Sequence, residues 1–238
     1  MPAQPIASRA SAALVHLYTA AGAVLAFVGI RAVFAGDYRF AFATMFAATM
    51  VDATDGLLAR RARVKEVLPH LDGAHLDDIV DYVTFVFLPI VLLDRAGDLP
   101  AEASLGVAAI VLLSSAFGFS FTDAKTSDHF FTGFPSYWNI VALYLHLLAA
   151  GPWINAAVLI LLSGLIFVRV GYVYPSRTPV LRGVTVTAGV IWGAAIAVMI
   201  WLMPSPPRTL VWWSLLFPAY YTALSLVLHA RRRRSAGA

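Results

Sequence analysis

Four aspartates stand at helical spacing at the ends of two apolar stretches: Asp52 and Asp55 in MVDATDGLLAR, then Asp77 and Asp81 in GAHLDDIVDY. Charge next to hydrocarbon is costly, so a cluster of carboxylates there points to metal binding, proton movement or a cationic substrate. On a helix, Asp52, Asp55, Gly56, Ala59 and Arg60 share one face, because they fall at offsets of zero, three, four, seven and eight. Gly73, Asp77 and Asp81 follow one another at intervals of four and line one face of the next helix. Two helices joined by a short loop pack antiparallel, so these faces can meet. Carboxylates gathered this way repel unless cations bridge them, and an all-oxygen set suits Mg²⁺, Mn²⁺ or Ca²⁺ rather than a soft metal. Gly56, Ala59 and Gly73 leave room beside such a centre, and the Arg60 guanidinium matches phosphate. A metal pair with a guanidinium alongside is equipment for phosphoryl transfer.

The elements that carry these residues must lie in a membrane. Hydrophobic residues make up 60% of the 238-residue chain, charged residues 13%, and the mean hydropathy is +0.78. Apolar stretches of spanning length fall at 14–34, 40–58, 76–93, 105–121, 138–150, 154–173, 184–203 and 210–229, the fifth being short. Continuous apolar runs in lipid must be helices, since a barrel strand would alternate. The expected fold is an all-α integral membrane protein of about eight transmembrane helices, one membrane domain over 1–238 with a basic tail at 231–238. With both termini inside, the inner segments hold Arg9, Arg60, Arg61, Arg63, Lys65, Lys125, Arg177, Arg182 and the four arginines of 231–234, whereas the outer ones hold only Arg31, Arg39, Arg95 and Arg208. That asymmetry puts the aspartates on the cytoplasmic side. The first stretch has a single flanking cation and is too long for a signal-peptide core, so it is expected to remain as a helix. The chain has no cysteine, which removes disulfides and thiolate metal sites. Its net charge of +4 and pI near 9.6 come largely from cations flanking the spans, which favours anionic headgroups over nucleic acid as the partner.

The strings D-x-x-D-G-x-x-A-R and G-x-x-x-D-x-x-x-D resemble the signature of the CDP-alcohol phosphotransferases, at positions 52, 55, 56, 59, 60, 73, 77 and 81 of the region 52–81. Twelve residues separate Arg60 from Gly73, a longer interval than most of that family has; the extra residues lie in RARVKEVLPHLD. This interval, the eight stretches and the later DHFFTGFPSYWN resemble the bacterial phosphatidylcholine synthases, the branch that condenses CDP-diacylglycerol with choline. If the extra residues continued a helix, Gly73 would rotate relative to Ala59; Pro69 predicts a turn instead.

The resemblance implies a CDP-alcohol phosphotransferase-like bundle, commonly a homodimer, in the bacterial inner membrane. It implies Asp52, Asp55 and Asp77 as ligands of a two-metal centre of Mn²⁺ or Mg²⁺, with Asp81 completing it and acting as general base on the choline hydroxyl. It implies Asp52, Gly56, Ala59, Arg60 and Gly73 as the CDP-binding set, the small residues letting cytidine pack on backbone. Choline offers no N–H donor, so aromatic faces are expected around it: Phe85, one α-helical turn beyond Asp81, and Tyr137 and Trp138 after an inner loop. Arg177 and Arg182 are candidates for the donor's phosphates or simple topology determinants, and 231–234 for headgroup contact. Asp78 points about 100° away from Asp77 and is expected outside the ligand set. His70, His75 and His129 show no metal-ligand spacing. Two other readings stand beside this one. The acceptor could be serine, inositol, ethanolamine or glycerol phosphate, or the carboxylates could serve a cation- or proton-coupled transporter, which would place Gly- or Pro-broken helices at the midplane.

Overall fold

The computed structural model describes residues 6–122, 130–173, 178 and 180–236. The chain packs as two compact units, Met1–Ala96 and Gly97–Ala238. The signature lies wholly in the first.

The first unit begins with a hairpin of two long helices, α1 (Ile6–Phe34) and α2 (Tyr38–Arg61). The turn between them needs a left-handed residue, and Gly36 supplies it at φ +75°. Its N–H donates to the Val33 carbonyl, and that of Asp37 to Ala32, so the last carbonyls of α1 are satisfied. Asp37 then caps α2 by accepting the Phe40 N–H at 2.9 Å. Close packing along α1 depends on two glycines seven apart, which fall on one face. A Cβ on Gly22 would come within 2.5 Å of Val80 Cγ1; one on Gly29 would collide with Thr44 Oγ1 and approach Leu88 Cδ2 at 2.7 Å. Bare backbone at these points lets α2 and the third helical stretch approach α1, the usual packing device where hydrocarbon surrounds the helices.

The loop after α2 turns as Pro69 requires. The chain leaves α2 through Arg63 at φ +48°, makes the single turn α3 (Val64–Val67), and breaks at Leu68. Leu68 precedes a proline, which disfavours the helical region for it. Part of the long interval therefore becomes a separate helical turn. Val64 and Val67 bury themselves with Ala12 of α1, with Val15, Ala59, Ala62 and Leu68 packed around them.

Helix α4 (Gly73–Asp81) then starts under an aspartate cap, passes into a π-helical segment (Tyr82–Phe87), and continues as α5 (Leu88–Arg95). Pro89 explains the π turn. It has no N–H to give the Phe85 carbonyl, and Leu88 donates five residues back, to Val83.

The second unit contains α6 (Ser104–Ser120), β1 (Phe130–Thr132), α7 (Trp138–Leu148), α8 (Pro152–Ile166), β2 (Gly171–Val173), α9 (Arg182–Trp201), α10 (Arg208–Ser214) and α11 (Leu216–Ala236). Helix α8 packs along α6, with Gly118 against Ile166. Two features differ from the expectation of helices and loops alone. The sixth apolar stretch, expected to run helically to 173, stops at Ile166, and Phe134 N–H takes the Leu165 carbonyl at 3.1 Å. Its remainder joins a two-stranded antiparallel sheet, Phe130 opposite Val173 and Thr132 opposite Gly171. That sheet is tied to α11: Val173 N–H donates to Ser225 Oγ, Tyr221 Oη to the Val173 carbonyl, and Gly171 N–H to His229 Nδ1.

The protein is thus mainly helical and apolar. Among the described residues three helical segments are long and apolar enough to cross a membrane: Ser8–Phe34, Arg182–Trp201 and Arg208–Arg232; Ser104–Ser120, Trp138–Leu148 and Pro152–Ile166 are shorter apolar helices.

Crowding at Gly29 has a measurable consequence. Gly29→Ala should lower the unfolding temperature in detergent, by an overpacking cost on the order of 1–3 kcal/mol. Gly106→Ala, where a Cβ meets nothing within 4 Å, should leave it unchanged or raise it.

Candidate active site

Helix α2 contributes Asp52 and Asp55, and α4 contributes Asp77; one carboxylate oxygen from each lies within 4.8 Å of the others. Oxygens bound to one hard divalent cation lie at most about 4–5 Å apart, twice the metal–oxygen distance, so these three carboxylates fit such an ion. Asp81 stands outside that triad but lines the same pocket, together with Val80 of α4, Ala48 and Val51 of α2, Thr19 and Gly22 of α1, and Thr84 of the π segment. Asp55 is the buried member, only 8% exposed, and its Oδ2 accepts a hydrogen bond from Thr19 Oγ1 at 2.8 Å. A burial of this kind is tolerable because the carboxylate has a donor and room for a cation.

The start of α4 is fixed by Asp72, whose side chain accepts the Ala74 N–H at 3.0 Å and the His75 N–H at 3.2 Å. Those two bonds, His75 first, hold the Asp72 carboxyl below its ordinary value of 3.8. The folded pKa is depressed, so the cap's contribution is present above 3.8 and is lost as pH falls through the folded value.

Several expected site residues have close neighbours in the first unit. Arg60 folds back over Gly56, with Nη1 3.4 Å from where a Cβ would be. Ala59 packs on the Val64 and Val67 cluster. A Cβ on Gly73 would lie 2.8 Å from Cε1 of His16. Ala59 thus packs toward α3 and Gly73 toward α1, and both stay partly exposed. The π turn changes the rotation per residue, so Thr84 lines the pocket and Phe85 is buried at 7% exposure. Thr84 Oγ1 donates to the Val80 carbonyl at 2.9 Å, holding it beside Asp81.

The other candidates lie in the second unit. Trp138 is fully buried there, its indole N–H given to Ser115 Oγ at 2.7 Å and its ring packed edge-on against Phe134. A tryptophan so enclosed packs as a core residue of the second unit. Tyr137 is exposed at the start of α7, and Arg182 is exposed as the first residue of α9. Arg177, Lys125 and His129 fall outside the described residues. Residues from α1 were missed by inspection of the sequence. Thr19 and Gly22 are a threonine and a glycine three apart in a long apolar helix, and only contact with α2 and α4 marks them out.

No protein-family model matches the chain. A phosphatidylcholine synthase of Legionella pneumophila is 44% identical over 164 residues, 68% of this chain and 64% of that protein. One from Legionella bozemanae is 51% identical over 142 residues, 59% of this chain and 65% of that one, so the match spans just under two thirds of each Legionella protein. A phosphatidylcholine synthase of Pseudomonas aeruginosa is 33% identical over 224 residues, 94% of both chains. The chain belongs to the phosphatidylcholine synthase family. Within this phosphatidylcholine synthase fold, the triad and its pocket are built from the first three helical stretches.

Two outcomes follow from this geometry. Asp72→Ala should speed amide exchange at Ala74 and His75 at neutral pH, and the two proteins should converge well below pH 3.8. Thr19→Val removes the donor to Asp55, and loss of a ligand's supporting bond typically costs about 10–100-fold in metal affinity. The Mn²⁺ concentration that half-saturates thermal stabilisation should rise on that scale.

Proposed function

We infer that the protein transfers the phosphatidyl group of CDP-diacylglycerol to choline, releasing CMP. The observation that carries this reading is the convergence of Asp52, Asp55, Asp77 and Asp81 on one pocket in a chain of this family. Asp81 acts as general base: its carboxylate takes the proton of the choline hydroxyl. The choline oxygen attacks the β-phosphorus of the donor, the bond from that phosphorus to the bridging oxygen breaks, and CMP leaves with the electron pair. Arg60 holds a phosphate of the nucleotide through its guanidinium fork. Asp52, Asp55 and Asp77, with Asp81, would hold Mn²⁺ or Mg²⁺, which when bound would supply positive charge for the transferring and departing phosphates.

Choline's trimethylammonium carries no hydrogen-bond donor and suits an aromatic face, for which Phe85, Tyr137 and Trp138 are the candidates. Arg177 and Arg182 are assigned to the donor's phosphates. In the membrane the chain is read as one domain of eight crossings with both termini and the site on the cytoplasmic side of the bacterial inner membrane, on the distribution of arginine and lysine. A homodimer is the expected assembly.

Purified protein supplied with CDP-diacylglycerol, Mn²⁺ and labelled choline should form labelled phosphatidylcholine and CMP in equal amounts. Asp81→Asn should lower the rate by about 10²–10⁴-fold, the usual contribution of a general base, while CMP still binds. Turnover of serine or inositol with none of choline would move the protein to another acceptor, and normal activity in Asp81→Asn would remove that residue as base.

A further inference from the structure

Asp81 is the last α-helical residue before the π segment, and it stands outside the triad of close carboxylate oxygens. The direction of its side chain follows from the backbone at that turn. The ladder changes its spacing from the next residue on, and at the far end of the segment Leu88 N–H reaches five residues back to Val83. Asp77, Val80, Asp81 and Thr84 fall at offsets of zero, three, four and seven, so they share one face, and all four line the pocket.

Thr84 is 1% exposed, and its hydroxyl reaches back across the change of spacing. Oγ1 donates to the Val80 carbonyl at 2.9 Å and, at the longer distance of 3.4 Å, to that of Asp81. Its Cγ2 faces α1, 3.8 Å from where a Cβ on Gly22 would be. Back-bonding by a threonine is ordinary in an apolar helix, where it hides the hydroxyl. Thr44, Thr49 and Thr54 of α2 do this, and none of them lines the pocket. Thr84 differs in place, because the same bond ties down the turn that carries Asp81. Valine has nearly the same shape and forms the wall at positions 51 and 80, so filling the space does not call for a hydroxyl at 84.

We propose that Thr84 is a positioning residue for phosphatidyl transfer: its hydroxyl fixes the last α-helical turn, and through it the Asp81 carboxylate, against the π segment. The proposal rests on the reading of Asp81 as general base. The effect of Thr84 on the rate passes through Asp81.

The test is a double-mutant cycle on the full chain in detergent with Mn²⁺, CDP-diacylglycerol and choline, read as kcat and as KM for each substrate. Thr84→Val keeps the shape and removes the donor. It should lower kcat by about ten- to a hundredfold, the scale of a small misplacement of a reacting group, with both KM values and the Mn²⁺ dependence of thermal stabilisation unchanged. Thr84→Ser restores the donor and should recover most of the lost rate. In the Asp81→Asn background, Thr84→Val should cost nothing further. An unchanged kcat in Thr84→Val, or a loss that adds in full to that of Asp81→Asn, overturns the proposal and leaves Asp81 as base. A change confined to the unfolding temperature overturns it too and assigns the hydroxyl to stability alone. Should the valine variant fail to fold, Thr84→Ala is read in the same way. Normal activity in Asp81→Asn would sink the general-base reading, and this one with it.

Discussion

Like charges held close together among apolar helices are the condition around which the first unit is arranged. Three carboxylate oxygens within 4.8 Å of each other repel strongly in a low-dielectric setting unless something positive sits among them. The fold answers this with geometry. Helix α1 presents glycine at positions 22 and 29, which draws α2 and α4 close enough for their aspartates to share a pocket. It also presents Thr19, whose hydroxyl satisfies the one aspartate that is buried. The three carboxylates could hold a cation, and an all-carboxylate donor set suits a hard one.

The loop between the halves of the signature matters for the same reason. Twelve residues could have carried α2 onward and rotated α4 out of register. Instead the chain spends four of them on α3, whose valines anchor against Ala12. Asp72 then restarts the helix at a defined residue, and Gly73, Asp77 and Asp81 face α1 and α2. The π turn beyond Asp81 extends this control by one more step. Pro89 forces it, and the small polar Thr84 rather than Phe85 meets the pocket.

Much of this was legible in the residues themselves. Offsets of three and four mark the aspartate faces because helices have a fixed period, and Pro69 announces the break because it cannot continue a helix. What could not be read was the third partner. Thr19, Gly22 and His16 belong to an apolar helix with no local irregularity, and their meaning comes only from the neighbours that packing brings. Downstream of Asp81 the faces follow the π-helical segment, whose rotation per residue differs from that of an α-helix. The end of α8 at Ile166 was hidden as well, since its apolar run continues into residues that pair as a strand.

The most direct test of the account is the position of a divalent cation in the intact protein. Crystals grown with Mn²⁺ and CMP and measured at the manganese absorption edge should show anomalous density bounded by the carboxylates of Asp52, Asp55 and Asp77. Manganese bound elsewhere, or none at the triad under saturating Mn²⁺, would contradict it.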